Sequence, residues 1–326
     1  VASVLALVLL LGVGAVAGVI GWSARNRSAR QQAAERMAES ALSQSDKFLE
    51  AADFGRALSE AKRAQTALAS GQADGGLLDR ASERIKDVEM LERLEQIRLE
   101  KSRNRALGSD YASCDRAYAQ AFREYGIDVD SLEVEAAAQR IAARVIHCEL
   151  AAALDDWTDV KRVLRQDEIC WKKLIDIAGR ADPDLLRNRL RSLWREPVTK
   201  NTDRTLAALA EPERVRGMSP TTLLLLADVL REAVQSSEEI RVLREGQREH
   251  PADFWINFKL AIRLSRGAPP ELGEAVRFYS VAAAIRPHSG AVRNNLAVSL
   301  RGPGRLEEAV ACYRKAIELD PKLAGA

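Results

Sequence analysis

The sequence of 326 residues is long enough for one or two globular domains, and its 47% hydrophobic content is ordinary for a folded protein. The 49 Lys and Arg against 47 Asp and Glu give a net charge of +2, which excludes the strong positive field of a nucleic-acid-binding protein. Aromatic residues make up only 5% of the chain, while Ala, Leu, Arg and Glu recur with few β-branched runs. This composition predicts an all-α fold and no nucleic-acid partner.

The N-terminal stretch 1–24 is apolar and carries no charged side chain. Its length matches the roughly 20 residues that a membrane-spanning helix needs. Trp22 suits the membrane interface, and Arg25, the first of several arginines, suits contact with lipid headgroups. The pattern predicts one transmembrane helix over residues 1–24, with residues 3–22 in contact with the membrane.

Small residues within this apolar stretch allow two further interpretations. Ala15-Val16-Ala17 resembles a signal-peptide cleavage site, so a cleaved secretory signal is the alternative to a spanning helix. Gly14 and Gly18 form a G-x-x-x-G pattern, through which two membrane helices can meet closely. The second pattern allows a homodimer.

Residues 25–70 are predicted to form a helical hairpin beside the membrane. Small and apolar residues recur at spacings of three and four on both sides of a short break at Asp53-Phe54-Gly55. In protein kinases this triplet holds the magnesium that bridges ATP phosphates. The kinase motifs that should precede it are missing from residues 1–52, so the triplet predicts a turn between two helices.

A linker and a long helix are predicted over residues 71–107. The stretch GQADGG at 71–76 has a linker composition, and apolar residues follow at near-heptad spacing from Leu78 to about Arg103. This spacing leaves a coiled coil and a single packed helix open. Residues 108–218 are predicted to continue as a helical region.

The C-terminal third of the chain repeats itself. Pro251, Pro287 and Pro321 recur at a nearly constant interval, and each follows a predicted helix that ends in charged residues. The interval matches the period of a tetratricopeptide repeat, about 34 residues, so it predicts a solenoid of such repeats over residues 219–326. The predicted units are 219–251, 252–287 and 288–321.

The last two units have small and large residues where the paired helices of this repeat touch. Alanines allow two helices to approach closely, while Leu and Tyr fill the seam between them. In the first unit Glu239 and Gly246 occupy positions where alanines belong, so the match is degenerate there. The repeat-packing residues are Leu260, Ala261, Ala275, Tyr279, Ala282, Pro287, Leu296, Ala297, Gly304, Ala309, Tyr313, Ala316 and Pro321.

The repeat register also predicts a binding groove. The groove-facing side of the first helix of each unit should include Trp255 and Phe258, and then Asn294 and Arg301. Such side chains could hold an extended peptide through apolar contacts and through amide and guanidinium hydrogen bonds. Core packing is the alternative interpretation of the two aromatic residues.

Five stretches spread over most of the chain carry a resemblance to a known family. They are AFREYGIDV at 121–129, AALDDWTDV at 152–160, RADPD at 180–184, HPADFWINFKLA at 250–261 and the repeat residues 294–321. They resemble the segment after the kinase domain in planctomycete-type bacterial serine/threonine kinases. In such proteins a cytoplasmic kinase domain precedes one membrane helix and a helical region that ends in tetratricopeptide repeats. The resemblance implies that this chain is such a C-terminal region, and it carries over no catalytic residue.

The arginines after the span and the family resemblance indicate opposite sides of the membrane for the helical region. Arg25, Arg27 and Arg30 directly follow the span, and the positive-inside rule alone would place the helical region in the cytoplasm. The resemblance implies the opposite, because a kinase domain before a single span must face cytoplasmic ATP. Since the rule compares both flanks and the N-terminal flank is absent, we expect a single-pass cell-membrane protein with an extracytoplasmic helical region.

These observations predict a non-catalytic sensor or scaffold region that binds a protein or peptide. An enzyme is one alternative, since Asp155 and Asp156 form a carboxylate pair near His147, although adjacent residues on a helix do not converge. A structural spacer of the cell envelope is another alternative. No cofactor or metal is predicted, because the four cysteines are widely spaced and form no C-x-x-C pair.

Overall fold

The computed structural model describes residues 2–71, 75–107, 111–302, 304–321 and 323, with their side chains except those of residues 2–24, 71 and 103–107. Within these ranges the regular elements are sixteen α-helices, which confirms the all-α prediction. The helices are α1 Ala2–Glu50, α2 Phe54–Gly71, α3 Gly75–Leu107, α4 Tyr111–Glu124, α5 Val134–Ala142, α6 His147–Val163, α7 Glu168–Ala181, α8 Leu185–Arg195, α9 Lys200–Leu209, α10 Pro212–Val215, α11 Pro220–Glu232, α12 Ser236–Glu249, α13 Phe254–Ser265, α14 Leu272–Ile285, α15 Gly290–Ser299 and α16 Leu306–Leu319.

The chain divides into two compact units, residues 1–93 and residues 94–326. The boundary falls within α3. Residues 94–102 of that helix therefore belong to the second unit. Their side chains Glu95, Arg98 and Lys101 pack against other helices of the same unit, and this packing does not support a coiled coil.

The predicted transmembrane helix is wrong. No helix among the described residues is both long and apolar enough to cross a membrane. Residues 3–22 belong to the long helix α1, whose described side chains begin at Arg25 and are largely charged, polar or small. The dimer contact predicted through Gly14 and Gly18 lies outside the residues whose side chains are described, as does the small-residue cleavage pattern. The expectation about membrane sidedness rested on that span, and no observation tests it.

In the first unit α1 and α2 form a helical hairpin closed by small side chains. Ala38, Ala41 and Leu42 of α1 share one buried cluster with Ala64 and Leu68 of α2. Because alanine adds little bulk, two helices lined with it can approach closely. The two helices contact each other along this seam.

The Asp53-Phe54-Gly55 triplet lies at the turn of this hairpin. The Asp53 carboxylate accepts a hydrogen bond from the backbone N–H of Arg56 at 3.1 Å, which satisfies a donor in the first turn of α2. Phe54 is the first residue of α2 and is partly buried. The triplet therefore acts as a helix start in this chain.

In the second unit α11 to α16 form three consecutive helical hairpins. The first helices begin at Pro220, Phe254 and Gly290, and the second helices begin at Ser236, Leu272 and Leu306. The starts of both series recur at nearly constant intervals that match the repeat period of about 34 residues. A helical solenoid of this type is therefore confirmed, and one hydrophobic core runs continuously from α7 to α16.

Each first helix of these hairpins begins with a short polar cap. The side chains of Ser219, Asp253 and Ser289 accept hydrogen bonds from backbone N–H groups three residues further on. Such caps satisfy donors that the helix itself leaves unpaired, and each contributes about 1 kcal/mol. The register of the repeat is thus set partly by local chemistry.

Most of the repeat-packing residues lie where helices touch. Tyr313 is partly buried against the core, and Gly304 adopts a positive φ of 81° in the turn before α16. Pro287 and Pro321 lie after helix ends, and both are exposed. The remaining residues are buried: Leu260, Ala261, Ala275, Tyr279, Ala282, Leu296, Ala297, Ala309 and Ala316.

Candidate functional site

A pocket lined mainly by charged side chains opens within the second unit. It lies between residues 98–102 of α3 and the helices α6, α11, α12 and α13, and it holds a cavity of about 50 Å³. We call it the charged pocket. Its lining residues are Arg98, Lys101, Ser102, Asp156, Asp159, Asp228, Arg231, Glu239, Trp255, Phe258, Lys259, Ile262 and Arg263.

Helical spacing brings these side chains to one side of each helix. Asp156 and Asp159 lie three residues apart on α6, and Asp228 and Arg231 lie three apart on α11. On α13 the lining positions fall at spacings of three and four from Trp255 onward. Residues three or four apart are neighbours on a helix surface, so each helix presents one continuous polar strip to the pocket.

The cations supplied by α11 and α13 are paired within the pocket. Lys259 Nζ lies 2.6 Å from the Asp228 carboxylate. Arg231 donates to Asp159 at 2.6 Å and also approaches Asp228 at 3.7 Å. These pairs offset the cost of removing the charges from water.

Residues 94–102 of α3 complete the pocket. Arg98 stacks over the ring of Trp255, with its guanidinium carbon 3.9 Å from the ring centroid. The indole N–H of Trp255 donates to Glu95 at 3.0 Å. Lys101 donates to Asp159 at 3.2 Å and also contacts Asp156.

Glu239 is the most unusual member of the set. It occupies the repeat position that holds Ala275 and Ala309 in the next two units, and it is fully buried. Its carboxylate lies 2.9 Å from the Arg263 guanidinium. Burial raises the pKa of Glu239 to about 7, although the nearby cations Arg263 and Lys259 oppose the shift.

Burial changes other ionisable groups around the pocket in the same way. It lowers the pKa of Lys259 against the attraction of Asp228. It also raises the pKa of Tyr118, whose hydroxyl donates to Asp156 at 2.5 Å. Burial therefore disfavours the charged forms of these groups, and a charge within the pocket depends on a partner side chain.

Two of the four predicted groove residues line the charged pocket. Trp255 lines the charged pocket and is only partly buried, whereas Phe258 lines it but is fully buried in the hydrophobic core. Asn294 is buried on α15, and Arg301 is exposed just after that helix. Neither of the last two belongs to the pocket lining.

Sequence reasoning missed most of the charged residues of this site. Charged residues at helical spacing normally indicate a solvated face, and nothing local distinguishes these from that case. One signal was present, because Glu239 interrupts the alanine pattern of the repeat. An acidic residue at a position where two helices pack closely indicates a buried charge.

The carboxylate pair considered for an enzyme diverges. Asp155 bonds to Arg191 on α8, while Asp156 faces Lys101 and Tyr118. His147 Nδ1 lies 3.1 Å from the Arg144 carbonyl oxygen. Both carboxylates lie in the middle of α6, and the pair does not point at one reacting centre.

Across the described parts of the chain, no group of three or more His, Cys, Asp and Glu could hold a metal ion.

The chain matches no protein-family profile and none of the curated proteins compared with it. Among solved structures it is similar to MamA, with 13% identity, a TM-score of 0.30, and coverage of 68% of this chain and 95% of MamA. A second similar structure is that of YrrB, a TPR protein with an unusual peptide-binding site. It is 18% identical, with a TM-score of 0.34 and coverage of 64% of this chain and 96% of YrrB.

The TPR2AB domain of yeast Sti1, in a complex with pHSP90, is a third similar structure. It is 16% identical, with a TM-score of 0.29 and coverage of 89% of this chain and 93% of that one. All three TM-scores are below 0.5. The fold assignment therefore rests on the hairpin geometry and the repeat period of the chain itself.

Proposed function

We propose that this chain is a non-catalytic scaffold that binds a protein partner through the charged pocket. The observation that supports this most directly is Trp255, a large aromatic side chain that is left partly exposed beside buried charges. Trp and Arg dominate the energetics of many protein interfaces, where they fill desolvated pockets. A structural spacer would need neither a partly exposed tryptophan nor the buried charges beside it.

The charge balance of the pocket also supports a binding role. Without α3, its lining carries four carboxylates, Asp156, Asp159, Asp228 and Glu239, against three cations. The three cations are Arg231, Lys259 and Arg263. Since the pKa of Glu239 is about 7, this carboxyl group is only partly ionised near neutral pH, and the need for a cation falls mainly on Asp156. Among the described residues the cations that contact Asp156 are Arg98 and Lys101, both of α3, so without them the pocket favours a ligand that brings positive charge. The proposed partner is therefore a protein that presents Lys or Arg to this site.

Association with a serine/threonine kinase is the narrower form of this proposal. It rests on the sequence resemblance of the five stretches described above. A reading frame that encodes a kinase domain directly upstream of Val1 would support it, and an upstream frame of unrelated sequence would contradict it.

A quantitative affinity purification tests the scaffold function. The full chain is the bait, and the double variant Asp156→Asn with Trp255→Ala is compared with the control variant Lys315→Ala with Glu318→Ala. The control residues form an exposed ion pair on α16. We expect a partner to copurify in near-equal amount with the wild type and the control and to be lost from the pocket variant. Equal recovery with both variants would contradict binding through the pocket.

A further inference from the structure

We propose that the charged pocket recognises a helix carrying the pattern Glu-x-x-Arg-x-x-Lys, and that residues 94–102 occupy it as a ligand within the chain. A partner helix with the same pattern would bind by displacing residues 94–102. This inference rests on the proposed scaffold function and specifies the class of partner.

Glu95, Arg98 and Lys101 are spaced by three residues, so they lie along one side of α3 over about 9 Å. Each meets different groups of the second unit. Glu95 accepts the indole N–H of Trp255 and also pairs with Arg286. Arg98 covers the face of the indole, and Lys101 reaches the carboxylates of α6. The second unit therefore contacts one acidic and two basic side chains in a fixed order along the helix.

The basic positions supply what the pocket itself lacks. Among the described residues, the cations that contact Asp156 are Lys101 and Arg98, and both come from α3. The ring of Trp255 would likewise lose its nearer cation, Arg98 at 3.9 Å from the centroid, and keep only the more distant contact with Arg286 at 5.6 Å if α3 left. Removing one partner of a buried ion pair is costly, so the site requires an occupant with basic residues at these positions.

Exchange of one helix for another keeps these contacts intact. A partner helix with the same three side chains pairs Asp156 and Trp255 again, so no buried charge is left without a partner. A helix with acidic or apolar residues at the two basic positions would leave Asp156 as a buried carboxylate without a cation, which is costly. The same contacts thus hold residues 94–102 in place and select the class of helix that can replace them.

The ligand for the test is a peptide with the sequence of residues 91–102. Because such a short helix is marginal in water, a lactam between Glu92 and a lysine introduced by Gln96→Lys fixes it, and fluorescein labels its end. Gln96 is exposed, so this bridge lies away from the pocket. Fluorescence anisotropy measures its binding to the full chain.

Three variants of the full chain are compared with the wild type. The variant Arg98→Ala with Lys101→Ala weakens the internal ligand, and it should bind the peptide about tenfold more tightly than the wild type, because an occupied site lowers apparent affinity. The control Arg93→Ala with Gln96→Ala changes exposed positions of the same helix and should match the wild type. Adding Trp255→Ala to the weakened variant should remove the gain.

Each other outcome contradicts the inference. Equal affinity for the wild type and the weakened variant would show that residues 94–102 do not occupy the site. Lack of peptide binding to a folded weakened variant would overturn the recognition pattern, whereas a partner lost from the pocket variant in affinity purification would still support the scaffold function. If the double variant fails to fold by circular dichroism, Lys101→Met, which keeps the aliphatic stem, replaces it under the same expectations.

Discussion

Arg191 on α8 and Asp155 on α6 form a two-pronged ion pair. The Nε and Nη2 atoms of Arg191 lie 2.9 and 2.8 Å from the two carboxylate oxygens of Asp155. Its third nitrogen, Nη1, donates to Asp182 at 2.8 Å, and Asp182 also accepts from Arg187. Although burial opposes the shift, hydrogen bonds from these two arginines lower the pKa of Asp182 to about 2. One guanidinium therefore ties α8 and the end of α7 to the middle of α6.

Replacing Arg191 by Met should destabilise the second unit strongly. The substitution leaves Asp155 and Asp182 as buried carboxylates without their shared cation, at a cost of about 3–5 kcal/mol. Chemical denaturation followed by circular dichroism should show a lower midpoint. Arg189→Met, at a more exposed position of the same helix, is the control and should leave the midpoint nearly unchanged. Equal midpoints for the two variants would mean that the ion pairs of Arg191 contribute little to the stability of the second unit.

Glu239 should make stability fall as the pH rises. Its pKa of about 7 in the folded chain exceeds the ordinary 4.5, so its contribution is complete below about pH 4.5 and is lost as the pH rises through 7. Glu239→Gln should therefore gain stability relative to the wild type between pH 5 and pH 8, by about 2–3 kcal/mol. Denaturation at both pH values measures the change.

The control for this pH dependence is Glu249→Gln, an exposed position at the end of the same helix. It removes one surface carboxylate from α12 and leaves the contact between Glu239 and Arg263 in place. A Glu239→Gln difference that does not exceed that of the control between pH 5 and pH 8 would show that Arg263 keeps the Glu239 carboxylate ionised throughout this range.

Enlarging a repeat-packing alanine should damage the solenoid. Ala309 is buried where α16 meets its neighbours, whereas Ala311 on the same helix is exposed. Ala309→Trp should cost about 1–3 kcal/mol or more, because a bulky side chain cannot enter a close helix contact without strain. Ala311→Trp is the matched control. A thermal melt in which both variants unfold together would mean that the repeat register is wrong.

Gly290 should resist replacement by alanine. A Cβ atom at this position would lie 2.9 Å from Asp320 Cβ and 3.1 Å from the Ala316 carbonyl oxygen. Gly290→Ala should therefore lower the denaturation midpoint although alanine favours helix formation by up to about 1 kcal/mol. Gly273→Ala, near the start of α14, meets no atom within 4 Å and should be neutral or stabilising. Matching effects of the two substitutions would contradict the close contact.

Asp53 should matter as a helix cap and not as a magnesium ligand. Asp53→Ala should lower stability by about 0.5–2 kcal/mol, and Asp53→Asn should retain most of it, because the amide oxygen can still accept from the Arg56 N–H. Neither substitution should change nucleotide binding, measured by titration with Mg-ATP. Phosphate transfer that disappears with Asp53→Ala would overturn the assignment of the triplet.

The sequence by itself determined the local features of this protein. Periodic apolar residues defined helices on both sides of Asp53-Phe54-Gly55, and the nearly even spacing of Pro251, Pro287 and Pro321 indicated the repeat. These features depend on spacings of three and four and on helix ends, and both are expressed within a short stretch of chain. The apolar run at 3–22 shows the limit of composition, since the predicted span was wrong.

Only the tertiary structure determined which charged and polar side chains contact each other. Glu95 and Trp255 are 160 residues apart in the chain, and only the packed unit brings them within hydrogen-bond distance. Asp155 and Asp156 are neighbours in sequence but belong to different networks, since one meets Arg191 and the other meets Lys101. A charge is stabilised or penalised according to the surfaces that remove water from it. Those surfaces come from distant helices, so the spacing of residues along one helix does not reveal them.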